Sequence, residues 1–269
     1  MVRLDGKVAF VTGAARGQGR AHAVRLAREG ADIVISDVCA PVAGNVVEAA
    51  STAQLDETAE LVAKEGAQVL SRVVDVRDAA ALELLALDAV DEFGRLDIVV
   101  ANAAIMGYGR AWEIPLDDWD AVIAVNLTGV FKTLRATVPP MIECGNGGSI
   151  ILISSAAGLK GLPLIAHYAA AKHGVVGICR TFANELGEHR IRVNSVHPGA
   201  VETPMGALPG LHELLKPSAA TLGPIFMNTL PYDRIEPEAI ADAVAWLASD
   251  EAKYVTGAQI PVDLGNTNR

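Results

Sequence analysis

Residues 7–23, KVAFVTGAARGQGRAHA, decide how this chain folds. A short apolar run enters a turn with glycines at 13, 17 and 19, and a segment of helical composition leaves it. Glycine permits a tight turn and lets backbone amides approach a pyrophosphate, whose charge then rests against the positive end of the helix. The spacing is G-x-x-x-G-x-G, not the G-x-G-x-x-G of most dinucleotide folds. Taken alone, Gly13, Gly17 and Gly19 mark either a nucleotide cradle or simply a turn.

Outward from this unit the pattern recurs. Val- and Ile-rich runs stand at 32–36 (DIVIS), 69–76 (VLSRVVDV), 96–101 (LDIVVA), 148–154 (GSIILIS), 191–196 (IRVNSV) and 259–263 (QIPVD). Nearly continuous apolar runs of this length read as strands buried on both faces. Segments of helical length such as DETAELVAKEG and PEAIADAVAWLASD lie between them. The alternation predicts a doubly wound, Rossmann-like α/β fold: a seven-stranded parallel sheet with helices on both faces, in a single domain over 1–269. Two stretches break the rhythm. Residues 38–54, VCAPVAGNVVEAASTAQ, extend the connection after the second strand, and 203–235, with five prolines and three glycines, reads as an irregular substrate-binding loop.

Composition narrows the function. A chain of 269 residues, 51% hydrophobic, suits one core, and a net charge of −10 provides no basic surface for nucleic acid or an anionic membrane. Cys39, Cys144 and Cys179 form no C-x-x-C pair, which fits a reducing cytoplasm. No uninterrupted apolar run reaches the roughly 18 residues of a membrane span. The histidines lack paired ligand spacing, so no catalytic metal is expected and His167, His173 and His197 read as packing or loop residues. Lys160, Arg180 and the run ELGEHR read as solvated surface.

Asp37 follows the glycine turn by about 20 residues, where an acid can hydrogen-bond the adenosine ribose hydroxyls. Its charge repels a 2′-phosphate, so NAD is expected over NADP; Arg16, inside the turn, is the residue that would favour the phosphate. Farther on, Tyr168 and Lys172 share a helical stripe with Val175, Cys179, Phe182 and Leu186. An ammonium one turn from a phenol favours the phenolate, lowering a pKa that starts near ~10 and making proton exchange with an alcohol or carbonyl feasible. Ser155 ends the strand thirteen residues before Tyr168.

With TGAARGQG, Asp75-Val76, ANAA at 101–104, Asn126 in VNLTGVF, Ser155, Tyr168-x-x-x-Lys172 and HPGAVET at 197–203, the sequence resembles the short-chain dehydrogenase/reductase family over nearly its whole length. The resemblance implies Tyr168 as acid/base, Ser155 holding the substrate oxygen, Lys172 on the nicotinamide ribose and lowering the phenol pKa, and Asn126 anchoring a water that leads to Lys172. Asn126 has a second reading, satisfying backbone groups where its helix kinks. Asp75 and Val76 would face the adenine, Asn102 and Ala103 would lie beside the cofactor, and Pro198, Gly199, Val201 and Thr203 would surround the carboxamide. The sequence departs from the family pattern at Gln18, usually aliphatic, at Ala101, usually Asn, and at Ala104, usually Gly. These departures bear on cofactor geometry.

The long connection beginning DVCAPV is similar to that of mycofactocin-associated dehydrogenases, some of which act on terpene alcohols such as carveol. This implies NAD that stays bound and is reoxidised by a separate redox carrier. Ile105, Met106, Trp112, Leu159, Leu162, Met205, Leu208, Leu211, Phe226 and Met227 suggest an apolar pocket for a small alcohol or ketone. The resemblance implies a homotetramer built on the 168–187 helix, whose small residues Ala169, Ala170, Gly174 and Gly177 permit close approach, and on a helix over 115–142. Two other readings stay open: an NADPH ketoreductase, and a nucleotide-binding regulator without catalysis.

Overall fold

The computed structural model describes residues 2–207 and 209–269. Seven strands form one sheet: β1 (Val8–Thr12), β2 (Asp32–Asp37), β3 (Val69–Val73), β4 (Ile98–Ala101), β5 (Gly148–Ile153), β6 (Ile191–Pro198) and β7 (Gln259–Val262). Their order is β3-β2-β1-β4-β5-β6-β7 and every pairing is parallel. The strand order proceeds outward in opposite directions from β1 and from β4, which opens a crevice between them at the carboxyl edge where such folds bind ligands.

Alternation along the strands explains their continuous apolar character. Phe10, Val34, Val99, Ile150 and Val193 face one way, against α3 (Ala79–Phe93), the helix pair α4 (Leu116–Ile123) and α5 (Val130–Cys144), and α6 (Ala166–Leu186). Val11, Ile33, Val100, Ile151 and Val196 face the other, against α1 (Gly17–Arg28), α2 (Thr52–Lys64) and α9 (Pro237–Ala248). Both faces are covered, so both side-chain sets must be apolar. β3 departs from this expectation: it is an edge strand, and Arg72 and Val73 are exposed.

The predicted 115–142 helix is one rod with a flaw. Between α4 and α5 the turns widen into a π-helix over Ala124–Gly129 that contains Asn126. The 116–144 run is long and apolar enough to cross a membrane, and 56% of its most apolar window is buried within this domain. The 203–235 segment is less irregular than expected, because α7 (Pro209–Leu215), α8 (Ala219–Leu222) and single 3₁₀ turns occupy it. Pro217 and Pro224 sit in first turns, where a missing N–H costs nothing.

Candidate active site

The glycine turn is built for close approach. Gly13 has φ +66°, and a Cβ at Gly19 would lie 2.0 Å from the Gly13 carbonyl. Thr12 and Asn102 fasten the turn: Thr12 Oγ1 accepts from the backbone amides of Asn102 (3.0 Å) and Ala103 (3.1 Å), and Asn102 Nδ2 donates to the carbonyls of Thr12 (2.9 Å) and Gly13 (3.1 Å). α1 then begins with no side-chain cap and no acid in its first turn. Its first amides are therefore free to meet an anion.

One cavity at the crevice is walled by Gly13, Arg16, Gly17, Gln18, Gly19, Asp37, Asp75, Val76, Asn102, Ala103, Tyr168, Lys172 and Thr203, joining most of the predicted site. Asp37 closes the β2 end, its carboxylate accepting from the amides of Ala15 (3.1 Å) and Cys39 (3.2 Å). Arg16 turns instead to the Glu48 carbonyl of the long connection. Asp75 grips Arg77, whose Nη2 lies 2.6 Å from Oδ2. Burial raises the Asp75 pKa, but the Arg77 bonds outweigh it and leave it lowered.

Five expected residues stand off the cavity wall. Asn126 is fully buried, and its side-chain amide bonds both backbone groups of Ile105, at 2.8 Å each, as the backbone-satisfying reading expects. Val201 bridges to Ile235 and packs in the core on the α9 side. Gly199 donates to Val262 at the sheet edge, and Pro198 ends β6. Ser155 lies beside Tyr168, capping a 3₁₀ turn through an Oγ that accepts from Ala157 N at 3.1 Å.

The Tyr168–Lys172 pair is arranged differently from the Coulomb expectation. Both are buried, and Lys172 Nζ donates to the Ile153 carbonyl at 2.8 Å while sitting 5.5 Å from the Tyr168 ring centre. Burial therefore dominates: it pushes the phenol up to about 12, with the adjacent Ser155 hydroxyl pulling the other way, and pushes Lys172 down to about 8.

The apolar pocket is also redrawn. Ile105 and Met205 line the cavity. Trp112 (77%), Leu159 (38%) and Met227 (52%) are exposed, Leu162 and Leu211 pack on the core with the buried Met106, and Phe226 is half-buried. Leu208 lies outside the described residues. In place of the exposed side chains, the long connection supplies a wall through Val38, Ala40, Val42, Asn45 and Val47. It reaches across the mouth to the far side, where Val46 N donates to the Met106 carbonyl (2.8 Å) and Asn45 Oδ1 accepts from Met106 N (3.2 Å). Its length and apolar content were the only signals available in the sequence.

Lys160, expected on solvated surface, instead ties two segments together. Its Nζ donates to the carbonyls of Ile225 and Asn266, each at 2.8 Å. Thr12 and Lys160 went unrecognised because one strand-end hydroxyl or loop lysine resembles another until its partners are in place. Among the described residues no group of three His, Cys, Asp or Glu is placed to hold a metal ion.

The donor set fits a dinucleotide: an uncapped helix end behind glycines, a carboxylate at the β2 end, and a Gln18 Oε1 that is buried against the cavity without a partner among the described residues. A family model described as enoyl-(acyl carrier protein) reductase matches residues 13–267. An uncharacterized NAD-dependent oxidoreductase of Mycobacterium tuberculosis is 52% identical over 97% of this chain and 96% of its own length. (-)-trans-Carveol dehydrogenase of Rhodococcus erythropolis is 44% identical over 99% of both. Among solved structures, a short chain dehydrogenase from Mycobacterium paratuberculosis bound to NAD superposes with a TM-score of 0.97 at 48% identity, covering 99% of this chain and 100% of that one. The chain belongs to the short-chain dehydrogenase/reductase family.

Proposed function

We propose that this protein is an NAD-dependent oxidoreductase that interconverts an apolar, cyclic secondary alcohol and its ketone, with Tyr168 exchanging the proton. The observation that carries the reading is the shared cavity: Asp37 and the glycine turn stand on the same wall system as Tyr168 and Lys172. Asp37 faces the ribose position and disfavours a 2′-phosphate, and Arg16 is committed to the Glu48 carbonyl, which argues against the NADPH alternative. The intact Ser155, Tyr168 and Lys172 argue against a regulator without catalysis.

NAD, when bound, accepts or returns the hydride and brings a pyridinium charge to the crevice. The residues of this chain handle the proton. Ser155 Oγ already accepts from Ala157 N, so its own hydrogen is available to the substrate oxygen. Tyr168 takes the hydroxyl proton in oxidation and returns it in reduction. The carveol dehydrogenases among its relatives support a cyclic terpenoid alcohol, and the apolar Ile105, Met205 and Val42 agree with it.

The connection over 38–51 lies across the adenosine half and supports an NAD that remains bound and is reoxidised by a separate carrier. We also infer a cytoplasmic homotetramer. Phe131, 45% exposed and edge-on to Phe182, and the open Gly177 offer a helix face for a second copy. Gly174 does not serve this face, since Leu127 of the π-turn fills the space a Cβ would need. Mass measurement in solution reads the oligomer.

The deciding experiment measures oxidation of cyclohexanol, menthol and carveol with NAD, NADP or an artificial electron acceptor. Turnover with NAD or the acceptor and a lower kcat/KM with NADP support the reading; faster NADP turnover, or none with any alcohol, overturns it. Denaturation should free about one NAD per chain if the cofactor is retained.

A further inference from the structure

We propose that His197 is a positioning residue whose Nδ1–H holds the Ser155 carbonyl and so aims the Ser155 hydroxyl at Tyr168 and the substrate oxygen. The inference rests on the reading of Tyr168 and Ser155 given under the proposed function.

His197 is fully buried near the end of β6, directly behind the strand end that carries Ser155. Its Nδ1 lies 2.8 Å from the Ser155 carbonyl and its Nε2 lies 2.8 Å from Ser195 Oγ. A carbonyl only accepts, so Nδ1 carries the hydrogen and Nε2 the lone pair; the Ser195 hydroxyl must then donate to Nε2. Both ring nitrogens are committed, which fixes one tautomer and one ring orientation. His22 shows that burial alone does not do this: it too is fully buried, yet neither of its nitrogens has a partner among the described residues.

The consequence falls on Ser155. Its backbone is extended (φ −171°, ψ 163°), and its carbonyl accepts from both His197 and Gly158 N, the latter at 2.8 Å. The neighbouring residues are held from the other side by α6: Lys172 Nζ donates to the Ile153 carbonyl at 2.8 Å, and Ser154 Oγ donates to the Lys172 carbonyl at 3.0 Å. Three consecutive residues are thus gripped, and His197 supplies the side-chain grip on the one that bears the hydroxyl. The donor persists across working pH. Burial pushes the imidazole down to about 4, the Ser155 carbonyl and Asp263 oppose that shift, and the titratable Lys172 and His173 add to it.

The test uses the alcohol that the substrate panel shows to be turned over fastest. His197→Leu removes the donor, and kcat should fall by about 10- to 100-fold, the scale expected when a catalytic group is displaced by a fraction of an ångström to an ångström. NAD affinity should hold, and the alkaline limb of the rate should move to higher pH. His197→Asn places an amide N–H where Nδ1 stood and should restore kcat to within about threefold of the parent, with the pH limb back in place. Nitrogen NMR of the histidines should show one neutral, Nδ1-protonated ring between pH 5 and 9 that is lost in the Asn variant. A Leu variant with parental kcat and pH limb overturns the proposal, as does an Asn variant as impaired as Leu, or an Nε2-protonated ring. Should the Leu variant fail to fold, Ser195→Ala frees Nε2 and must lower kcat several-fold with the same pH shift; an unchanged Ser195→Ala enzyme overturns the proposal equally. Failure of the underlying reading is distinct: it would show as retained activity in Tyr168→Phe.

Discussion

At the scale of single residues, the balance between burial and charge decides what Tyr168 and Lys172 can do. The phenol stands high because it is desolvated, and the ammonium that should lower it is aimed at the Ile153 carbonyl. Alcohol oxidation needs the phenolate, so it should accelerate with rising pH, and every cation near the ring brings that limb lower. Tyr168→Phe should reduce turnover by at least about 10³-fold while leaving NAD binding, read by fluorescence quenching, nearly unchanged. Lys172→Met should shift the limb to higher pH and weaken NAD binding. A limb that stays in place would show that Lys172 does not act on the phenol. The Y-x-x-x-K spacing was legible in the sequence, as was the Asp37 carboxylate. The direction of the lysine was not, because its partner is a backbone carbonyl on another element.

At the scale of elements, two segments close the site, and their attachments were hidden until the chain folded. The connection after β2 is stitched to the Ile105–Gly107 strip by Val46 and Asn45, and to the glycine turn through Arg16. At the other side Lys160 joins the Gly223–Phe226 turn of the 203–235 segment to the C-terminal turn over Asn266–Asn268, where Asn266 Nδ2 also donates to the Met227 carbonyl at 3.1 Å. Lys160→Met leaves two carbonyls without their charged donor, each bond worth about 1.5–3 kcal/mol. It should raise KM for the alcohol by about tenfold with kcat little changed, and proteolysis should cut faster within 216–230. Equal cleavage rates in variant and parent would refute the clamp. The length and composition of both segments gave notice of loops beside the site, whereas the helical turns inside 203–235 were hidden by prolines such as Pro217 and Pro224, which begin turns and do not break them.

At the scale of the whole molecule, buried histidines set the acid limit of stability. His22 is pushed down to about 3 and His197 to about 4, both by burial, from an ordinary 6.5. Between pH 6.5 and 4 the unfolded chain binds protons at these positions that the folded chain refuses. Their contribution is complete above pH 6.5 and is lost as pH falls, at about 1.4 kcal/mol per pH unit for each ring. The melting temperature should therefore drop from pH 7 to pH 5, and His22→Leu, which replaces a buried imidazole with an apolar side chain, should make that slope shallower, the remainder belonging to His197 and to the buried His167, which burial also pushes down. An unchanged slope would mean that His22 is solvated in the folded state.

By itself the sequence determined the layers, the seven strands and the end of the sheet that holds the site. These follow from local periodicity and from backbone freedom at glycine, and both are written in neighbouring residues. The tertiary structure alone decided which polar atoms meet. Asn126 reached Ile105, Arg16 reached Glu48, Lys160 reached Ile225 and His197 reached Ser155 because a hydrogen bond depends on distance in space, and none of these partners is close along the chain.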